Sequence, residues 1–230
     1  MAKPSQHVLN LKQKELADLY FDSDTVKFGA FKLAAHEANP DLELSPIYLH
    51  YPKPGEAGTE LLPRIYVLAA GLFSDLISEK GLEYDRMAAV PKGAQPVAEE
   101  LAKLEPDGEN KLLEFGKEEA DGRRVFVGPI KGDYQKGHVL MVVEDHTSGG
   151  YNKSLFKNAA EKAGLVVNDI LTVVDRQQGA MEYLTSQGVG FHSIFTLDEL
   201  LDHYVETKRI ELEKAKMVRD YIKRNQIQVA

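Results

Sequence analysis

Glu144 and Asp145 stand side by side at the end of an apolar run, Val139 to Val143, and Thr147, Ser148, Gly149 and Gly150 follow them. Carboxylates accept hydrogen bonds, whereas hydroxyls, unhindered glycine N–H groups and a helix start donate them. One loop therefore offers acceptors first and donors second. A ligand with hydroxyls at one end and a phosphate at the other satisfies both halves, and a phosphorylated sugar is such a ligand. The plainer alternative is that the two acids cap the next helix and that Gly149-Gly150 is only a turn. Two common phosphate loops are excluded. No glycine-lysine-serine or threonine opens the helix near Tyr151, and the glycines are adjacent rather than spaced as in a dinucleotide fingerprint.

The elements that must position this loop are read from periodicity. Short apolar runs alternate with amphipathic stretches, which is the pattern of an α/β protein whose central, mainly parallel sheet is flanked by helices. In such a sheet ligands bind beyond the carboxyl ends of the strands, where Glu144 and Asp145 would lie. Helical spacing marks Leu11 to Tyr20, and strand-like alternation marks Val26 to Leu33. A strand from Ser45 ends at Pro52, Pro54 and Gly55. A helix of about twenty residues follows, with Leu62, Ile65, Leu68, Ala69, Leu72 and Leu76 on one face and Gly81 as its stop.

Strand, loop and helix come next, the loop at Pro91 to Pro96. Residues 105 to 137 are charged and punctuated by glycine, and they read as a β-ribbon carrying a mobile loop at about 116 to 124. The remainder is read as helix (Asn152 to Ala163), strand (Ile170 to Val174), helix (Gln178 to Gln187) and strand (Gly190 to Phe195). Thr196 and Glu199 form a capping box for the next helix. In the last segment Ile210, Met217, Val218, Tyr221 and Ile222 form a docking face. One domain with a smaller appended piece is expected.

Bulk properties narrow the partners. In 230 residues, 28 Lys and Arg face 36 Asp and Glu, a net charge of −8 that argues against general nucleic-acid binding. The chain has no cysteine, which excludes disulfides, thiolate nucleophiles and zinc-thiolate sites together. No stretch reads as the ~18 to 20 apolar residues of a membrane span, so no membrane partner and a cytoplasmic setting are expected.

The run "VLMVVEDHTSGGYNKS" resembles the phosphoribosyl pyrophosphate motif of the type I phosphoribosyltransferases: an apolar strand, two acids, then a threonine- and glycine-rich turn. Within them the chain is similar to the orotate phosphoribosyltransferase family. "VKFGAFKL…SPIYLHY" resembles its amino-terminal segment and "VPKGAQPVAEELA" its diphosphate loop and following helix. "DRQQGAMEYLTSQGVGFHSIFTLDELLDHYVE" resembles its carboxy-terminal third, and the likeness covers about residues 14 to 224.

The resemblance implies a single domain over residues 1–230 with the type I phosphoribosyltransferase fold. A small hood would take about residues 1–55 plus a C-terminal helix at 208–224, and the core about 60–205, with a flexible catalytic loop. It also implies transfer of 5-phosphoribosyl from phosphoribosyl pyrophosphate to orotate, with Mg2+ held mainly by substrate and water, in a homodimer. Carried over by position, Glu144 and Asp145 would meet the ribose hydroxyls. His146, Thr147, Ser148, Gly149 and Gly150 would complete the ribose-phosphate cradle. Lys92, Gly93 and Ala94 would hold diphosphate, and Thr147 and Arg176 would meet orotate.

The match departs from the family at three places. The catalytic loop, approximately "RKExKxHG" in the family, is "GKEEADGRR" here: Lys117 and Glu118 persist, whereas Gly116, Ala120 and Gly122 replace an arginine, a lysine and a histidine. Arg123 and Arg124 stand three and four residues beyond Ala120 and, with Lys117, are the candidate catalytic cations. The sugar-phosphate turn is one residue shorter than the usual pattern, which puts His146 directly after the acids. Ala34 replaces a lysine after "FGAFKL", and Lys32 points the other way on a strand. Two alternatives stay open beside the enzyme: a nucleotide-binding or regulatory protein with weakened catalysis, and a transferase for another base.

Overall fold

A computed structural model describes residues 8–33, 41–120, 123–149 and 151–226, with the backbone alone for 117–120, 123–129 and 151–152. Ala34 and Gly122 lie outside the described residues. The chain divides into two compact units, Met1–Ile65 with Phe195–Asn225 and Tyr66–Ile194 with Gln226–Ala230. The core expected over about 60–205 includes residues 195–205, which cluster instead with the N-terminal unit.

In the first unit, helix α1 (Leu11–Asp22) opens on a capping box in which Asn10 accepts from the Gln13 N–H and Gln13 accepts from the Asn10 N–H, each at 2.9 Å. An antiparallel pair follows, β1 (Val26–Phe31) and β2 (Ser45–Leu49), with Val26 opposite Leu49 and Phe28 opposite Ile47. The unit's core is built on Leu16, Tyr20, Ile47, Leu200, Leu201 and Tyr204, all fully buried. The buried hydroxyls are paired: Tyr20 with Tyr51 at 2.8 Å, and Tyr204 donating to the Ala17 carbonyl at 2.9 Å.

Helix α2 (Leu62–Lys80) ends at Gly81, whose φ of 61° is the left-handed stop that glycine adopts without strain. Its most buried residues are Ile65, Ala69, Ala70, Leu72, Phe73 and Ile77. Leu62, Leu68 and Leu76, expected on that face, are only half-buried. The 22-residue stretch Thr59–Lys80 is long and apolar enough by length and composition to cross a membrane, with a mean hydropathy of 1.4, contrary to the reading from sequence that counted no such stretch. Arg64, Asp75, Glu79 and Lys80 interrupt it or end it.

The second unit carries a six-stranded sheet. Its strands are β3 (Arg86–Ala89), β4 (Leu112–Ala120), β5 (Arg123–Lys131), β6 (Val139–Thr147), β7 (Val166–Asp175) and β8 (Gly190–Thr196), in the order β5-β4-β3-β6-β7-β8. The pairs β4–β3, β3–β6 and β6–β7 are parallel. Helices α3 (Gln95–Leu104), α5 (Tyr151–Lys162) and α6 (Ala180–Ser186), with a short turn α4 (Gly108–Lys111), supply the connections. Central strands covered on both faces read as unbroken apolar runs, and this is why Leu140, Met141, Val142 and Val143 are all buried.

The ribbon differs from expectation. Strands β4 and β5 stay paired from Gly116 opposite Val127 to Ala120 opposite Arg123. The stretch expected as a loop over 116–124 is thus paired strand at 116–120 and 123–124; residues 121–122 lie outside the described residues. The backbone register sets Glu119 opposite Arg124. Pro129 is tolerated because β5 is an edge strand.

The first unit closes with α7 (Leu197–Glu206) and α8 (Leu212–Arg224). On α8 the buried residues are Ala215, Val218, Tyr221 and Ile222, with Ile210 just before it; Met217, expected on that face, is 59% exposed because the helix presents the turn one residue away. The capping box of α7 forms as expected: Thr196 Oγ1 accepts from the Glu199 N–H at 3.3 Å, and Glu199 accepts from the Thr196 N–H at 2.7 Å. Thr196→Ala removes the first of these bonds and is expected to lower stability by about 1 kcal/mol, read as a shift in the denaturation midpoint. An unchanged midpoint would show that the box does not hold the helix start.

Candidate active site

The acid pair ends β6, in the middle of the sheet, and its neighbours come from the adjoining elements. In register, Glu144 lies opposite Thr172 of β7 and Thr147 opposite Asp175. Thr147 is fully buried and its hydroxyl donates to Thr172 Oγ1 at 3.1 Å. The Arg176 N–H, just past β7, donates to the Thr147 carbonyl at 2.7 Å. The strand ends of β6 and β7 are thereby tied together, and Thr147 and Arg176, the pair expected at one base, are brought side by side.

From the other side comes the loop after β3. Val90 donates to the Val143 carbonyl at 2.9 Å, and the chain then turns through Pro91, Lys92, Gly93 and Ala94, with a cis peptide between Pro91 and Lys92. Gly93 touches the acid pair so closely that a Cβ there would overlap Asp145 Oδ2. Ala94 is buried at the start of α3, while Lys92 is exposed. The structure therefore brings Lys92, Gly93 and Ala94 beside Asp145.

The two acids are not equivalent. Glu144 is 7% exposed, whereas the Asp145 side chain is 21% exposed. Burial pushes the Glu144 carboxyl up to about 8, Lys153 opposes that shift, and the neighbouring Asp145 adds to it. For Asp145 burial also works against ionisation. The charge of His146 and the His146 N–H, donated at 2.7 Å, outweigh it and hold Asp145 below its ordinary range. Of the two, Glu144 is the one that takes up a proton first as pH falls. A group whose value in the fold lies above its unfolded value adds stability at low pH that is lost as pH rises through the folded value, so Glu144 favours the fold least above about pH 8.

The remaining residues fall as follows. The His146 side chain is 6% exposed with Nδ1 3.7 Å from Asp145 Oδ2, which makes it a buried neighbour of the acids. Ser148 is half-buried and Gly149 buried at the turn into α5; Gly150 lies outside the described residues. Arg176 is 8% exposed, and Asp175 beside it is raised to about 6 by burial even though it accepts the Gln177 N–H at 2.8 Å. Asp175 therefore spends its carboxylate on the turn. Lys117, Arg123 and Arg124 are placed by backbone register alone, on the ribbon.

One residue of the site escaped the sequence reading. Lys153 Nζ lies 3.0 Å from Glu144 Oε1 and 3.4 Å from the His146 carbonyl, with 7% of its side chain exposed. The signal was present in the spacing, since Lys153, Phe156 and Ala160 share the inward face of α5. A lysine in a first turn reads by default as a solvated one, and so it was passed over.

Comparison with known proteins bears on this geometry. No family model matches the chain. The orotate phosphoribosyltransferase of Pyrococcus furiosus is 26% identical over 192 residues, 83% of this chain and 96% of that one. Its counterpart from Caenorhabditis elegans is 30% identical over 154 residues, 66% of this chain and 65% of that one. Among solved structures, UMP synthase of Leishmania donovani superposes with a TM-score of 0.73 at 26% identity, covering 92% of this chain and 42% of that one. The chain is similar to orotate phosphoribosyltransferases over most of its length. The expected fold class, an α/β protein with a mainly parallel sheet flanked by helices, holds for this orotate phosphoribosyltransferase relative, and the chain spans about two fifths of the longer UMP synthase.

Gly93→Ala is expected to displace Asp145 and to weaken binding of ribose 5-phosphate, followed by calorimetry, by about tenfold, since overpacking of this kind costs ~1 to 3 kcal/mol. Unchanged affinity would separate the loop from the acid pair.

Proposed function

We infer that this chain transfers a 5-phosphoribosyl group from phosphoribosyl pyrophosphate to N1 of orotate, giving orotidine 5′-monophosphate and diphosphate in pyrimidine biosynthesis. The observation that carries the reading is the meeting of three elements at one rim: the acids ending β6, the Lys92–Ala94 loop against Asp145, and Arg176 tied to Thr147. Relatives of the same family name over most of the chain support it.

The chemistry fits those positions. Breaking the bond from C1 to diphosphate builds positive charge on the ribose ring and negative charge on the leaving group. Asp145, held ionised and partly open, suits the ring and its hydroxyls. Glu144 stands behind it. The Thr147, Ser148 and Gly149 backbone and the start of α5 suit the 5′-phosphate. Arg176 suits the orotate carboxylate, because a guanidinium grips a planar carboxylate with two parallel hydrogen bonds that an ammonium cannot reproduce.

Magnesium is part of the proposal. Oxygen donors dominate this rim, which suits a hard cation that keeps several waters and bridges substrate phosphates, so its shell would come from substrate and water, and no side chain is assigned to it. When bound it would offset charge on the diphosphate. The homodimer and the cytoplasmic setting are carried on the family resemblance.

The thinned ribbon favours one second reading, a binding protein with weakened catalysis: Gly116 and Ala120 supply no cation where the family has two. Mixing protein, magnesium, orotate and phosphoribosyl pyrophosphate and following loss of orotate absorbance decides between them. Turnover is expected; tight nucleotide binding without turnover would favour the binder. Arg123→Ala with Arg124→Ala is expected to cut kcat by about 100-fold, the scale of losing one preorganised charge contact to a leaving group, with little change in folding. Wild-type rates in that double variant would make the arginines bystanders.

A further inference from the structure

Lys153 carries two costs and one compensation. An ammonium taken out of water loses its hydration, and one in the first turn of a helix faces the positive end of the helix dipole. Both apply to Lys153, the third residue of α5, and the Glu144 carboxylate at 3.0 Å offsets them. The same ammonium reaches the carbonyl of His146 at 3.4 Å, so it binds the strand end both through a side chain and through the backbone between Asp145 and Thr147. Its side chain is 7% exposed.

We propose that Lys153 is a positioning residue for sugar recognition, acting through Glu144 to set the charge and the seating of the Glu144–Asp145 pair. This inference rests on the functional reading above. With Lys153 in place Glu144 is drawn toward its ionised form against burial and against Asp145, so at moderately alkaline pH the pair adds a second carboxylate charge to that of Asp145. Without it the proton stays on Glu144 to higher pH, and the pair carries less charge where the hydroxyls arrive.

The groups facing Glu144 are few. Lys153 comes from α5, and Asp145, with His146 beyond it, from β6 itself. The residue opposite on β7 is the uncharged Thr172. Beyond β3 stand Gly93, against Asp145, and the exposed Lys92; Tyr66 of α2 senses the Asp145 charge. Among these Lys153 is the cation in direct contact with Glu144.

The test uses full-length protein with magnesium, orotate and phosphoribosyl pyrophosphate, and follows turnover against pH in wild type, Lys153→Met, Lys153→Arg and the double variant Lys153→Met with Glu144→Gln. In Lys153→Met the acidic limb of the kcat/KM profile for phosphoribosyl pyrophosphate is expected to move up by about one pH unit, equivalent to about tenfold in KM at fixed pH, with the KM for orotate unchanged. Lys153→Arg should restore most of the wild-type profile. The double variant leaves no buried charge unpaired and should fold even if Lys153→Met does not. Its acidic limb should disappear.

A Lys153→Met protein with the wild-type profile and KM overturns the inference, as does a double variant that keeps the limb. Wild-type protein that neither binds phosphoribosyl pyrophosphate nor turns it over would overturn the functional reading and this inference with it, whereas active wild type with unaltered variants would overturn this inference alone.

Discussion

The structure turns on one electrostatic constraint: two adjacent carboxylates held at the buried end of a central strand. Neither group is cheap to keep there, because removing a charge from water costs several kcal/mol unless partners replace the hydration. The surroundings divide the burden unequally. His146 and its N–H hold Asp145 ionised, Lys153 faces Glu144, and burial leaves Glu144 with the proton up to about pH 8. The outcome is one open, ionised carboxylate with a titratable one beside it.

The rest of the second unit can be understood as support for that arrangement. The apolar run Leu140 to Val143 fixes β6 in the sheet, and the bonds Val90 to Val143 and Arg176 to Thr147 align the strand ends on either side. Gly93 is required because its backbone approaches Asp145 more closely than any side chain allows. Loop, strand tip and following turn are therefore one mechanical piece. A change in any of them is felt at Asp145.

Much of this was legible in the sequence, for physical reasons that differ by element. Unbroken apolar runs and clean helical spacing located β6, α2 and α7, and the Thr196–Glu199 pair announced its helix start because a capping box is a local motif with a local cause. The ribbon was misread at 116–124, since charge and glycine content report on burial, and a two-stranded ribbon needs little burial to pair. Met217 was misplaced by a single residue of helical phase. Lys153 was missed because composition assigns lysine to the surface, and only the three-dimensional meeting of α5 with the tip of β6 reveals its partner. The acids and Thr147 were read from residue type and position and Arg176 by resemblance; the inequality of the two acids in burial and charge was not visible in any spacing.

The central claim is that this rim recognises a ribose through its hydroxyls. Its most direct test is the calorimetric affinity of the protein for orotidine 5′-monophosphate against the 2′-deoxy analogue. Loss of a hydroxyl that meets a charged acceptor costs ~1.5 to 3 kcal/mol, so the deoxy nucleotide should bind at least about tenfold more weakly. Equal affinities would contradict the account, because they would leave the acid pair with no sugar hydroxyl to hold.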